Sequence, residues 1–472
     1  MATTINPADL MTLGLKVLQQ CVENRTTTSE QTAIRVAGPD DVDHLHSTAI
    51  PDREPASIDN VLARAAKIFA FRARMDHPKF FGFIPSPSSD YSWLGDMLNA
   101  AYNPHAGSWF QSSGPSSIEK SLIHWMARDL FSLPDTAGGC FVSGGSMANL
   151  IALMVARDQM LSDDSRGKAL VYVSEQTHSS IGKALRILGF RGNQLRKIDC
   201  DNNSCISISN LERQIIQDRG EGGYPFLIVG NCGTTNTGSI DDFVSLAAIA
   251  SAHRLWLHAD GAYGASIVLS AKHKNLLRGV DLCDSMTWDA HKWLFQTYGC
   301  GIIIVRNQNL LVESFQTGAE YTRDAPDGPE ECPNFWNYGQ ELTRPARAMK
   351  LWFSLHMIGL GALETAIDRG FELAEVAQQA LSKLKYWDIV SSAKLAIVCF
   401  RYAPPHISEA KRDLLNEQIS KAAIRESIGV TLTTRLHGKT VLRICSIHPD
   451  LQNADMVAIV ENLDRIARGL SI

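Results

Sequence analysis

The chain lacks the marks of several common protein classes. It contains no CxxC pair and no cysteine–histidine spacing suited to zinc, and its 10 cysteines lie far apart, mostly inside apolar runs such as "IVGNCG" and "IVCFRY". A disulfide scaffold and a metal site are therefore not expected, and reduced thiols in a reducing compartment are. No window approaches the ~18 apolar residues of a membrane span, and the N-terminal "MATTINPADLMTLGLKVLQQ" has no basic segment followed by an apolar one, as a secretory signal would. Basic residues are scattered and the formal net charge is -5, so neither nucleic acid nor an anionic membrane is an expected partner. Internal repeats and low-complexity tracts are also missing. A cytoplasmic protein with a small-molecule site is the expectation.

With 472 residues, 45% of them hydrophobic, the chain is long enough for a large core and a smaller unit. From Val142 onward, helix-like and strand-like stretches alternate: helix over Ser146 to Leu161, strand over Ala169 to Val173, helix over Ser179 to Gly189, strand over Phe226 to Gly230, helix over Asp241 to His253, strand over Leu255 to Ala259. Cys300 to Arg306 reads as a further strand. Such alternation predicts an α/β fold with a mainly parallel sheet covered on both faces, whose ligands gather where strands end. A long helical stretch, Pro345 to Gly359, precedes a different pattern: a strand in "LAIVCFRY", a helix from Ser408 to Glu426, two strands about the "HGK" turn at His437 to Lys439, and a last amphipathic helix. Three segments are expected: an N-terminal helical arm over 1–113, a large α/β domain over 114–360 and a small C-terminal α+β domain over 361–472. Within the arm, helices over Ala8 to Val22 and Ile58 to Ala73 flank a polar connection rich in Thr and Asp.

Three short stretches carry candidate chemistry. "FVSGGSMANLIAL", Phe141 to Leu153, places two glycines and Ser146 between a strand and a helix, where free N–H groups and the helix dipole favour an anion such as phosphate. The plainer account is a glycine turn with Ser146 as helix cap, and "GGSMA" is also one glycine short of a hydrolase nucleophile elbow. "LWLHADGAYGAS", Leu255 to Ser266, delivers Asp260 to a strand end, as a cap or as partner to a cation. "WDAHKWLF", Trp288 to Phe295, leads Lys292 between aromatics, where desolvation favours a neutral, nucleophilic amine; the alternative is a stem whose charged head reaches water. An anion cradle, an aspartate and a lysine, in that order, meet the needs of pyridoxal phosphate: an anchor for its phosphate, a carboxylate for its pyridine nitrogen and an amine for its aldehyde.

These motifs, together with "HPKFFGFIPSPSS" (77–89), "EQTHSSIGKALRILG", "GTTNTGSID" (233–241), "DAHKWLFQTYG" and "ELTRPARAMKLW", resemble the group II pyridoxal-phosphate amino-acid decarboxylases, in particular the aromatic-amino-acid branch and its bacterial tryptophan decarboxylases. The resemblance extends from about residue 55 to the C-terminus. It implies the aspartate-aminotransferase-like fold (fold type I), with a seven-stranded sheet in the large domain, and a homodimer with sites at the subunit interface. Lys292 would form the Schiff base, Asp260 would face the pyridine nitrogen and His178 would stack on the ring. Gly145 and Ser146, with Asp289 or His291 nearby, would face the phosphate; Thr234 and Ala262 would complete the cofactor's surroundings.

The resemblance also makes Tyr321 the donor that protonates the product carbon. Tyr321 stands in a stretch rich in Pro, Gly and acids, Thr317 to Gly339, that reads as a closing loop. Relatives with phenylalanine there favour oxidative deamination to an aldehyde. Phe83, Ile84, His105 and Trp336 match positions lining the side-chain pocket, and Ile84 and Gly107 stand where animal relatives carry larger groups, which would enlarge the pocket for an indole. The expected reaction is decarboxylation of an aromatic L-amino acid, tryptophan to tryptamine foremost. Alternatives are tyrosine, phenylalanine or another bulky substrate, an aromatic aldehyde synthase, and, from a different class, a serine hydrolase using Ser146, Asp260 and His291.

Overall fold

A computed structural model describes residues 5–318, 320 and 331–470. Seven strands form the larger sheet: β1 Gly138–Val142, β2 Ala169–Ser174, β3 Leu195–Ile198, β4 Tyr224–Asn231, β5 Trp256–Asp260, β6 Ser285–Asp289 and β7 Gly301–Val305. Their order is β1-β7-β6-β5-β4-β2-β3, with β2 to β6 all parallel to their neighbours among β2–β6 and β3. β2, β5, β6 and β7 are buried at every residue. Strands covered by helices on both faces have no polar side to alternate with, so they read as unbroken apolar runs. The exception to parallel order is β7, which runs antiparallel to both β6 and β1. A parallel return takes a crossover of a dozen or more residues, usually helical; the connection 290–300 is a tight non-helical turn, so the chain doubles back. Lys292 stands in that turn.

The second sheet is antiparallel, in the order β10-β11-β9-β8: β8 Trp387–Lys394, β9 Ile397–Tyr402, β10 Leu432–Leu436 and β11 Lys439–Cys445. Helices Leu360–Ser382, Glu409–Arg425 and Asn453–Leu470 close over it around Leu373, Phe400, Leu442 and Leu463. Phe81 enters this core from far up the chain, its N–H donating to Val430 O at 3.1 Å and its carbonyl accepting from Cys445 N at 3.2 Å.

The expected elements are found with ends moved by a few residues. The helix expected from Pro345 begins at Ala348, because Pro345 pairs with His105 in an antiparallel bridge that holds that stretch extended. Several elements carry little sequence signal. β3 is a half-exposed edge strand, "LRKI". The polar connection of the N-terminal segment holds a helix, Pro39–Ala49, with no buried residue and hence no apolar stripe; proline starts it and Asp41 accepts from the Gly38 N–H at 2.9 Å. Helices Asp90–Tyr102 and Trp109–His124 follow, the latter kinked at Ser112, whose backbone is not helical, beside the division expected at 113. Helices Pro7–Thr26 and Ile58–Ala70 likewise bury none of their residues. Among the described residues no helix is long and apolar enough to cross a membrane, and no group of three His, Cys, Asp or Glu is placed to hold a metal ion.

Candidate active site

The carboxyl ends of β1, β4, β5 and β6 converge on a cavity of 420 Å³. Its walls include Gly144, Gly145, Ser146, His178, Thr234, Asp260, Ala262, Asp289, His291 and Lys292, so every residue expected to hold the cofactor meets there. Residues up to 148 positions apart in sequence, Gly144 and Lys292, come together because each ends or follows a strand of one sheet, on the edge where the strands end.

The glycine turn after β1 opens the helix Gly145–Met160, whose cap is Gly144; Ser146 lies within the first turn and does not cap it. The early N–H groups of a helix have no acceptor within it, and here they border the cavity. A Cβ on Gly145 would lie 2.7 Å from Asp289 Oδ2, so only glycine lets the turn approach this close.

From β5, Asp260 projects at the strand end. Its Oδ2 accepts from Asn149 Nδ2 at 3.0 Å and its Oδ1 from Ala262 N at 3.2 Å. His178 caps the helix Ser179–Ile187, its Nδ1 accepting from Ser180 N at 3.2 Å. His178 thus caps a helix with Nδ1 while its side chain borders the cavity. Burial lowers the His178 pKa, an effect the Asp260 charge opposes. Thr234 is buried in the loop after β4, its Oγ1 2.6 Å from Thr237 Oγ1.

Lys292 is not sealed in the interior. Its side chain is 24% exposed on the cavity wall, with Nζ 3.2 Å from Asp289 Oδ2, while the flanking Trp288 and Trp293 are fully buried. Trp288 Nε1 donates to Ser266 Oγ at 2.9 Å and Trp293 stacks on Tyr263. The aromatics beside the lysine therefore clamp its turn to the segment after Asp260. Asp289 is buried and also lies 3.7 Å from His291 Nε2; burial holds the His291 pKa down, against the Asp289 charge. A carboxylate offers a phosphate no donor; the donors on the walls are the N–H groups of the glycine turn and the Ser146 hydroxyl.

The hydrolase arrangement is not assembled. Asp260 bonds to Asn149 and Ala262, His291 bonds to Cys300 O at 3.2 Å, and no hydrogen bond joins Asp260 to His291 or His291 to Ser146.

A model of the pyridoxal-dependent decarboxylase conserved domain matches residues 39–403. The chain belongs to the pyridoxal-dependent decarboxylase family. The decarboxylase is 36% identical to the aromatic-L-amino-acid decarboxylase of Bacillus atrophaeus over 99% of this chain and 97% of that one. It is 30% identical to tryptophan decarboxylase 2 of Oryza sativa subsp. japonica, over 84% and 82% of the two chains. Its fold matches the crystal structure of Oryza sativa TDC with PLP and tryptamine at a TM-score of 0.93, with 22% identity and 99% of each chain covered. The residues present suit the cofactor: an acceptor-only carboxylate, an amine, and a glycine turn too close to Asp289 for a side chain.

The expected substrate residues are elsewhere in the decarboxylase chain. Phe83 is 62% exposed and Ile84 is buried in the main core. His105 and Trp336 are half-buried on either side of Gly107, whose N–H donates to His105 Nδ1 at 3.3 Å and whose carbonyl accepts from Trp336 N at 2.9 Å. None of the four borders the cavity within one chain. Tyr321 lies outside the described residues. Sequence reasoning passed over Asn149, Ser180, His258 and Tyr263. For His258 a signal existed, since in "HAD" it shares the Asp260 face of β5.

Proposed function

We propose that the enzyme decarboxylates an aromatic L-amino acid, L-tryptophan foremost, to its amine, tryptamine, with release of carbon dioxide. The observation that carries this reading is the meeting of Asp260, Lys292, His178 and the glycine turn in one cavity, in a chain similar throughout to an aromatic-L-amino-acid decarboxylase.

Bound pyridoxal phosphate supplies an electron sink for the substrate's α carbon. Lys292 would carry the cofactor and yield it to the incoming amino group. Asp260, held by Asn149 and Ala262 N–H, would keep a proton on the ring nitrogen through a charge-assisted hydrogen bond. His178 would cover the ring face from the open side. Gly145 and Ser146 would anchor the phosphate, with His291 nearby, and Thr234 and Ala262 would border the ring. Tyr321 would deliver a proton to the α carbon after carbon dioxide leaves, which favours the amine over an aldehyde.

A homodimer would complete the site. Leu10, Met11, Leu15, Phe69, Phe83 and Phe110 are all exposed in the single chain, apolar side chains that a second copy could cover. A second copy would bring the exposed Phe83 and the half-buried His105 and Trp336 into play around a flat aromatic side chain, with Ile84 packed behind Phe83 in the core. The ten cysteines are all free, which suits a cytoplasmic enzyme.

The test is a panel of tryptophan, tyrosine, phenylalanine and glutamate, assayed for carbon dioxide and product identity. Tryptophan is expected to turn over fastest and give tryptamine; faster release from glutamate would overturn the aromatic reading.

A further inference from the structure

A chain of buried side chains runs from the middle of the sheet to the cavity, and its hydrogens can be placed by elimination. Indole nitrogen has a hydrogen and no lone pair, so Trp256 Nε1 donates to Ser285 Oγ at 2.9 Å. Ser285 Oγ keeps its own hydrogen and a second lone pair, and it lies 2.9 Å from His258 Nδ1. The Asp260 carboxylate can only accept, so Asn149 turns its Nδ2 there and its Oδ1 toward His258 Nε2 at 2.9 Å; Nε2 therefore carries the imidazole hydrogen and Nδ1 accepts from Ser285. Thr287 Oγ1 also donates to Asn149 Oδ1, at 2.7 Å. Two donors on one side fix the Asn149 amide, and its Nδ2 turns to Asp260 Oδ2 at 3.0 Å and Ser180 Oγ at 2.9 Å. Ser180 in turn has its hydroxyl hydrogen free for His178 Nδ1 at 2.9 Å. The opposite amide orientation would set Oδ1 against the Asp260 carboxylate and Nδ2 against two donors.

We propose that Asn149 and His258 are positioning residues that hold the Asp260 carboxylate in register with the cofactor's ring nitrogen, and that the same chain, through Ser180, sets the His178 ring. Asn149, His258, Ser285 and Thr287 are all buried, where each unmet donor or acceptor is costly, so the chain has one low-energy arrangement. His258 is the hinge of the arrangement because only its neutral form accepts at one nitrogen and donates at the other. Burial lowers the His258 pKa, opposed by the Asp260 charge, which keeps it in that form.

The proposal rests on Asp260 facing the cofactor, so the experiment includes Asp260→Asn beside His258→Leu, His258→Gln and Asn149→Ala. Pyridoxal phosphate is titrated into each apoprotein and followed by absorbance, melting temperatures are recorded, and kcat and KM for tryptophan are measured. His258→Leu and Asn149→Ala are expected to raise the cofactor dissociation constant about tenfold, the scale of one hydrogen bond to a charged acceptor, and to lower kcat more than they change KM. His258→Gln, whose amide N–H reaches toward Asn149 Oδ1, is expected to recover most of the loss. A residue that merely fills space would give the reverse order, since leucine suits a dry site better than glutamine. Leucine behaving like wild type, or glutamine failing as badly as leucine in equally folded proteins, overturns the positioning role. Should His258→Leu not fold, Asn149→Ala decides by the same two constants. If Asp260→Asn leaves affinity and kcat unchanged, the placement of Asp260 on the ring nitrogen fails and the proposal falls with it.

Discussion

Trp293 stacks on Tyr263 with ring centroids 5.1 Å apart and planes 11° from parallel. Trp293 follows Lys292, and Tyr263 lies three residues beyond Asp260, so one aromatic contact ties the turn bearing the amine to the turn bearing the carboxylate. Trp293→Ala is expected to cost about 3–5 kcal/mol in stability and to weaken cofactor binding as the two turns lose register. Denaturant unfolding and a cofactor titration measure the two effects; tight binding in a destabilised protein would separate packing from alignment.

Lys292→Ala is expected to abolish covalent attachment. Borohydride reduction followed by mass spectrometry should find pyridoxal phosphate on Lys292 of the wild type and on no residue of the variant. Attachment at another lysine would remove Lys292 from its role.

Gly145→Ala would set a methyl group 2.7 Å from Asp289 Oδ2. The fold should survive, because alanine suits a helix, while the cofactor dissociation constant rises tenfold or more as the turn is pushed off its path. Unchanged affinity for pyridoxal phosphate, against lost affinity for pyridoxal phosphate but kept for unphosphorylated pyridoxal, distinguishes a mistaken cradle from a correct one.

Arg344 Nη2 meets Glu119 Oε1 at 2.7 Å with both side chains buried, and Arg344 also donates to Phe141 O and Ala106 O. The pair fastens the segment carrying His105 to the end of β1. Glu119→Gln leaves an uncompensated guanidinium and should destabilise by about 3–5 kcal/mol. Replacing both partners with apolar residues should cost less than the single change, as a double-mutant cycle of unfolding energies would reveal.

Burial keeps His77, His258 and His291 below the ordinary imidazole pKa. Between those lowered values and about 6.5 for the unfolded chain, the unfolded state binds more protons, so stability rises with pH there and is lost as pH falls from about 7 toward 5. Asp241 and Asp284, raised by burial, act in the opposite direction, at lower pH nearer the carboxylate range. Urea midpoints should therefore be lower at pH 5.5 than at 7.5, with a smaller drop in His258→Gln. Equal midpoints would contradict the neutral histidines.

Tyr321→Phe should divert product from amine toward aldehyde and ammonia, measured by product analysis with tryptophan; unchanged amine output would remove Tyr321 from proton delivery.

The linear sequence settled which chemistry was available and in what order. Apolar runs ending in "SGGS", "HAD" and "DAHK" placed a glycine turn, a carboxylate and an amine at the ends of strands, because a strand buried on both faces must be apolar until it emerges. Elements without such a signal, the exposed helix Pro39–Ala49 and the edge strand β3, were not legible, since they bury too little to impose a pattern. Only the tertiary structure decided that Lys292 stands at a cavity wall paired with Asp289, that Asn149 and His258 support Asp260, and that Phe83 and Ile84 lie away from the cavity in one chain. Those contacts depend on distance and direction between side chains that approach only after the sheet has formed, and a hydrogen bond between residues 109 positions apart leaves no periodicity in the chain to read.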